Sequence, residues 1–252
     1  MDSIQKDRKV SIIIVCYNEE NKIKNSIEVI TAYVKKKKWS YEIIFVDDGS
    51  TDGTFSIVQV CAREIPNVKI ITNKRNHGKG YVIRQGLLAA EGEYVVTTDA
   101  DLAYPVEQLE GFLSACTSCD MVVGTRIHKN AVYIMNYKSF ALLLIRHLTS
   151  RMFNLYVRLM FGISFTDTQC GIKVYKNRFA KIVAAKGKIH GFSYDVETFL
   201  IAKKVGARVK EHPVTVIHSY ADSKVKIFRH TIKMFLEVLG IKWNEITGAY
   251  NK

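Results

Sequence analysis

The 252-residue chain has no apolar run near the ~20 residues needed to cross a bilayer; the run Phe140–Ile145 stops at Arg146. Its opening, MDSIQKDRK, holds no hydrophobic stretch of the signal-peptide kind. Cysteine is sparse, five residues at irregular spacings, an odd count that argues against a disulfide framework and for a reducing compartment. The lone C-x-x-C, Cys116 to Cys119, lacks the second pair of a zinc site and is expected to be ordinary thiols. No internal repeat or low-complexity linker interrupts the chain. These absences predict a cytosolic chain, soluble or peripheral on the cytoplasmic face of a membrane.

Acid is also missing from one long stretch: no Asp or Glu falls between Asp120 and Asp167. Over the whole chain 37 Lys+Arg stand against 24 Asp+Glu, a net charge of +13. Residues 1–128 carry 16 basic and 17 acidic side chains, and residues 129–252 carry 21 and 7, so all the excess lies in the second half. Such a surface attracts phosphate on nucleic acid, nucleotide or anionic lipid. Arg126, Lys129, Lys138, Arg146, Arg151 and Arg158 are embedded in apolar sequence, which favours lipid. Aromatic–basic interleaving on strands is absent, so no nucleic-acid partner is expected. Lys138–Phe161 sets His147, Ser150, Arg151, Asn154 and Arg158 against Leu148, Met152, Leu155 and Leu159. Lys226–Trp243 sets Lys226, Arg229, His230, Lys233 and Glu237 against Ile227, Phe228, Phe235 and Leu239. Both read as amphipathic helices lying in a bilayer interface.

What is present in the first half is alternation. Val10–Cys16, Tyr41–Asp47, Val68–Thr72 and Tyr94–Thr98 are continuous apolar runs rich in Ile and Val, as in strands buried on both faces. Asn21–Lys38, Thr54–Glu64 and Lys79–Ala90 are long enough for crossover helices. The order implies an α/β, doubly wound, mostly parallel sheet, whose ligands bind beyond the carboxyl ends of the strands. Those ends are polar: CYNEE after the first, DDGSTDGT after the second, NHGKG after the third and DAD after the fourth. Asp52 is placed to cap the helix that follows.

Asp99 and Asp101 are expected on one side of an extended segment, offering two hard oxygen donors that suit Mg²⁺ or Mn²⁺ together with substrate phosphates. A dehalogenase-type phosphatase also uses a strand-end D-x-D, but after its first strand and followed by Gly/Thr; here the motif follows the fourth and precedes Leu102-Ala103.

SIIIVCYNEE, EIIFVDDGSTDGT, NHGKG and TTDADLAYP together resemble the family-2 glycosyltransferases of GT-A fold, inverting enzymes that use nucleotide-sugar donors. DTQCGIKVYKN, GFSYDVETFLIAKKVGARVKEHPV and DSKV extend the resemblance toward the dolichyl-phosphate β-glucosyltransferase branch, close to the dolichol-phosphate mannose synthases, over residues 10–245. The resemblance implies a GT-A catalytic domain over residues 1–220. Within it, residues 10–125 would be the nucleotide-sugar half and 126–220 the acceptor half, with interfacial helices at 137–161. An amphipathic extension would follow at 221–252.

It further implies that Tyr17, Glu19, Val46 and Asp48 meet the nucleoside, with Lys79, Asp99 and Ala100 also on the donor. Asp99 and Asp101 would hold the metal. Arg126, His218 and Lys224 would face phosphates, and Asp167 and Glu197 would lie on the acceptor side, making Asp101, Asp167 and Arg126 the catalytic set. Two positions depart from the mannose synthases: Ala103 stands where they carry a metal-site Gln, and His218 where they carry Arg. Water or a diphosphate oxygen would complete the metal's octahedron. The expected activity is transfer of a hexose, from UDP-glucose or UDP-N-acetylglucosamine, to dolichyl or another polyprenyl phosphate. The alternative is the same fold acting on a soluble glycan or cell-surface polymer.

Overall fold

The structure, a computed structural model, describes residues 9–135, 140–218 and 227–251; the side chains of 135, 140–146, 218 and 227–231 lie outside the description. Four apolar runs form strands β1 (Val10–Cys16), β2 (Tyr41–Asp47), β3 (Val68–Thr72) and β4 (Tyr94–Asp99). Between them lie helices α1 (Glu20–Lys37), α2 (Thr54–Glu64) and α3 (Lys79–Ala89). Lys35, Lys36 and Lys37 end α1, where cations suit the helix dipole, and Lys38 closes it in the left-handed conformation at φ 54°. Asp52 lies one residue before the Gly53 cap position of α2 and accepts the Thr54 N–H at 3.0 Å.

The second half adds β5 (Met121–Thr125), β7 (Lys173–Lys176) and β8 (Val209–Pro213) to the same sheet, in the order β3-β2-β1-β4-β7-β5-β8. All neighbours are parallel except β7, which runs antiparallel to both β4 and β5. Every residue of β1 and β2 is buried, so helices cover both faces of the sheet. The reversal of β7 sets its first residues beside the carboxyl ends of β4 and β5.

A second, two-stranded parallel sheet joins β6 (Val132–Met135) to β9 (Thr215–His218). The remaining helices are α4 (Leu109–Cys116), α5 (Phe140–Phe161), α6 (Asn177–Lys186), α7 (Tyr194–Lys204) and α8 (Ile227–Ile246). Helix α5 meets α8 through rings: Phe153 stands edge-on to Phe235 at 5.4 Å, and Tyr156 lies 4.9 Å from the same ring. Among the described residues no helix is long and apolar enough to cross a membrane.

Candidate active site

The loops after β1 and β2 are stitched together. Asn18, left-handed at φ 55°, donates its N–H to Ser50 Oγ (2.9 Å), and its Oδ1 accepts the Thr51 N–H (2.8 Å). Asp47 accepts the hydroxyls of Ser50 (2.5 Å) and Thr72 (3.0 Å). The buried Asp48 carboxylate accepts the N–H groups of His77 and Gly78, each at 2.8 Å, and so fixes the loop that begins α3. Gly78 sits at φ 105°, and a Cβ there would stand 2.5 Å from the His190 carbonyl oxygen, so only glycine fits. Tyr17 is exposed at the rim, and the Glu19 N–H binds Thr54 Oγ1 at 2.7 Å. Val46 sits one residue before the end of β2 with its side chain buried in the sheet.

A correction concerns the D-x-D. Only Asp99 belongs to β4; Asp101 lies in the turn beyond, ahead of Leu102 at φ 47°. The two carboxylates are brought together by that turn and not by strand alternation. Ser26 of α1 pins it by donating to the Ala100 carbonyl at 2.5 Å, and Asp101 Oδ1 accepts the Ala103 N–H at 3.1 Å. Lys79 Nζ lies 2.6 Å from Asp99 Oδ1. Burial alone would lower the Lys79 ammonium's pKa, and Asp99, then Asp195, reverse this and raise it. Burial, then the adjacent Asp99, raises the Asp101 carboxyl above its ordinary value. Two mutually repelling hard oxygen donors could hold a dication that takes its other ligands from water and diphosphate. No group of three or more His, Cys, Asp or Glu among the described residues could do so alone.

Beyond β5, Arg126 grips Asp167 with two prongs, Nε to Oδ2 at 2.7 Å and Nη2 to Oδ1 at 2.9 Å; its backbone N–H adds a third bond. Burial works to raise the Asp167 carboxyl's pKa, but the guanidinium outweighs it and holds the group below the usual range. Tyr104 Oη accepts the Gly171 N–H at 3.3 Å. Gly171 in turn lies against Asp99: a Cβ there would be 2.6 Å from Asp99 Oδ2. Glu197 faces a loop: it accepts the N–H groups of Lys188 (2.8 Å) and Ile189 (3.0 Å) and the Tyr250 hydroxyl (2.6 Å). Lys224 and the side chains of His218 and Arg146 lie outside the described residues. His77 stacks on Tyr81 at 4.5 Å. Burial pushes the Cys170 and Cys116 thiols up to about 11 and about 12, so both are unreactive packing groups near neutrality.

The two amphipathic helices are apolar on more than one side. Helix α5 buries Phe153, Val157 and Phe161 while exposing Leu148, Met152, Leu155 and Leu159, the last at 78%. Helix α8 buries Val238 and Ile241 and exposes Ile232, Leu236, Leu239, Trp243 and Ile246, with Trp243 at 68%. Asn154, expected on the polar face, is buried. Glu237 leaves that face too, accepting the Ser193 N–H at 3.0 Å where α7 begins.

Sequence reasoning missed Ser26, Gly171, Lys173, Asp195 and Glu237. For Lys173 a signal existed: a lysine inside the apolar run Gly171-Ile172-Lys173-Val174-Tyr175.

The family model described as Glycosyl transferase family 2 matches residues 11–180. A dolichyl-phosphate beta-glucosyltransferase of Dictyostelium discoideum is 27% identical, over 96% of this chain and 76% of its own. An undecaprenyl-phosphate 4-deoxy-4-formamido-L-arabinose transferase of Yersinia enterocolitica is 31% identical, over 91% and 66%. Among solved structures, glucosyl-3-phosphoglycerate synthase of Mycobacterium tuberculosis, in complex with Mn²⁺, UDP and glucosyl-3-phosphoglycerate, superposes with a TM-score of 0.66 at 17% identity. The match covers 93% of this chain and 80% of that one.

Proposed function

The chain belongs to glycosyl transferase family 2, and on that footing we propose that it moves glucose from UDP-glucose to the phosphate of a dolichyl-type polyprenyl phosphate. The observation that carries the reading is the gathering of Asp99, Asp101 and Lys79 at one strand end, with Gly171 and Tyr104 leading from Asp99 toward Arg126. Both relatives bear a polyprenyl phosphate in their names and differ in the sugar.

The acceptor phosphate is already an anion, so the site has positioning and charge to supply and no proton to abstract. Its oxygen bonds to the anomeric carbon as the bond from that carbon to UDP breaks. The electron pair leaves with UDP, and the configuration inverts. Asp99 and Asp101 would hold Mg²⁺ or Mn²⁺, which when bound supplies positive charge to the diphosphate. Lys79 adds a cation on the same side. Asp167 takes two side-chain prongs of Arg126 and thereby aims the remaining guanidinium N–H groups at the acceptor phosphate. With its carboxyl held acidic, Asp167 serves as an orienting group. Tyr17 and Glu19 line the nucleoside side; Asp48 shapes it through the loop at His77 and Gly78. His218 and Lys224 keep the phosphate-facing roles that the resemblance implies.

The exposed apolar residues of α5 and α8 lie on the membrane surface that holds the acceptor, on its cytoplasmic face. The test is a screen of radiolabelled UDP-glucose, UDP-N-acetylglucosamine and GDP-mannose with a polyprenyl phosphate. Label passing into the organic phase from UDP-glucose supports the assignment. Transfer only from another donor, or only to a soluble glycan, overturns it.

A further inference from the structure

Strand β7 opens with a lysine that water does not reach: Lys173 is 0% exposed. Its Nζ lies 2.6 Å from Asp195 Oδ1 and donates to the Cys170 carbonyl at 2.5 Å. Lys173 faces Thr97 across the β4–β7 ladder, two residues before Asp99. The Tyr194 ring lies 5.6 Å from the ammonium. A buried ion pair is a poor way to stabilise a core, since apolar residues of similar volume commonly do as well or better. What this pair does instead is connect.

On one side, the ammonium holds the carbonyl of Cys170, the residue before Gly171, where a Cβ would stand 2.6 Å from Asp99 Oδ2. On the other, Asp195 sits in the first turn of α7, beside Tyr194. A Cβ on Gly80 would stand 2.6 Å from Tyr194 Cβ, and the Gly80 N–H bonds to the His190 carbonyl at 2.8 Å. Gly80 follows Lys79, the partner of Asp99. Both neighbours of the Asp99 carboxylate, the Gly171 wall and the Lys79 ammonium, thus trace back to one buried charge.

We propose that the Lys173–Asp195 pair is a positioning device that fixes Asp99 between Gly171 and Lys79 in the geometry needed to share a divalent cation with UDP. The inference rests on the assignment of Asp99 and Asp101 under the proposed function. Neither Lys173 nor Asp195 touches substrate; they act through the two segments they tie together.

The experiment compares the wild-type protein with Lys173→Met/Asp195→Leu, a replacement that leaves no unpaired charge. Calorimetry measures UDP affinity with Mn²⁺ and with EDTA, alongside thermal melting. The expected result is a folded double variant whose Mn²⁺-dependent UDP affinity falls by about 10- to 100-fold, the range for residues that orient metal ligands. Its affinity in EDTA falls by less, because only the Lys79 contact to the diphosphate is disturbed and the nucleoside side is untouched. A folded double variant with wild-type affinity in Mn²⁺ overturns the inference. Should the double variant not fold, Asp195→Asn is read the same way: a larger loss in Mn²⁺ than in EDTA supports the inference, and no loss overturns it. A wild-type protein whose UDP affinity ignores Mn²⁺ would overturn the assignment of Asp99 and Asp101 and the inference with it. Metal dependence in the wild type with an unchanged variant overturns the inference alone.

Discussion

Lys79 Nζ stands 2.6 Å from Asp99 Oδ1, so the cation nearest the D-x-D is supplied by the protein itself. The two effects of removing it have opposite signs. Lys79→Met strips a positive charge from beside the carboxylates and takes a donor from the diphosphate. UDP affinity in EDTA should fall by roughly ten- to a hundredfold, the value of a charge-assisted hydrogen bond. Mn²⁺ affinity without nucleotide should hold or rise, because Asp99 is released. Manganese titration by electron paramagnetic resonance and calorimetry of UDP separate the two; a parallel fall in both contradicts the arrangement.

Asp101 lies in the turn after β4 and accepts one local hydrogen bond, from the Ala103 N–H, so its replacement leaves the fold intact. Asp101→Asn should melt like the wild type and lose more than about a hundredfold in transfer rate, as a metal contribution of several kcal/mol requires. EDTA should do the same to the wild type, reversed by added Mn²⁺ or Mg²⁺. Undiminished transfer by Asp101→Asn in EDTA would remove the metal from the site.

Asp167 gives a pH signature. Its pKa in the folded chain lies below the ordinary value, burial being outweighed by Arg126. The pair therefore contributes stability in full above the unfolded carboxylate's pKa of about 4, and loses it as pH falls through the lower folded value. Asp167→Asn should lower stability at pH 7 by on the order of 3 kcal/mol, the cost of stranding a largely buried guanidinium. The gap in melting temperature should stay constant from pH 8 to about pH 5 and close only below about pH 4. A gap that begins to close near pH 6 would mean the carboxyl titrates near neutrality.

Leu159 and Trp243 are exposed side chains on α5 and α8, and neither supports the core. Each large apolar side chain withdrawn from water is worth about 1.5–3 kcal/mol. Leu159→Ser/Trp243→Ser should therefore cut sedimentation with anionic vesicles by roughly a hundredfold or more. Transfer to a long-chain polyprenyl phosphate in membranes should fall with it, while transfer to a short, water-soluble polyprenyl phosphate persists. Equal loss on both acceptors would place these residues in the catalytic machinery.

The first half was legible because β1, β2 and β4 are buried on both faces, so apolar continuity and Gly/Asp-rich ends mark each boundary to within a residue. Patterning could not show that the D-x-D is half strand and half turn, since Ala100 is compatible with either and the deciding bond comes from Ser26, far away in sequence. Nor could it choose the core face of α5, where Phe153 and Val157 on one side and Leu155 and Leu159 on the other are equally apolar. The roles of Lys173 and Asp195 depend on which strands become neighbours, and a single lysine in an apolar run does not disclose that.

The reversed strand β7 also sets when the site can exist. Synthesis lays down Asp99 and Asp101 by residue 101, yet the glycine that walls Asp99 and the ammonium behind it arrive with residues 171 and 173. Inserting β7 between β4 and β5 closes a long loop, the slow and entropically costly kind of contact. A nascent chain halted ahead of Thr166 would carry the acidic pair with Ser26 and Lys79 but lack Gly171 and Lys173. The full surround of Asp99 therefore belongs to the finished sheet.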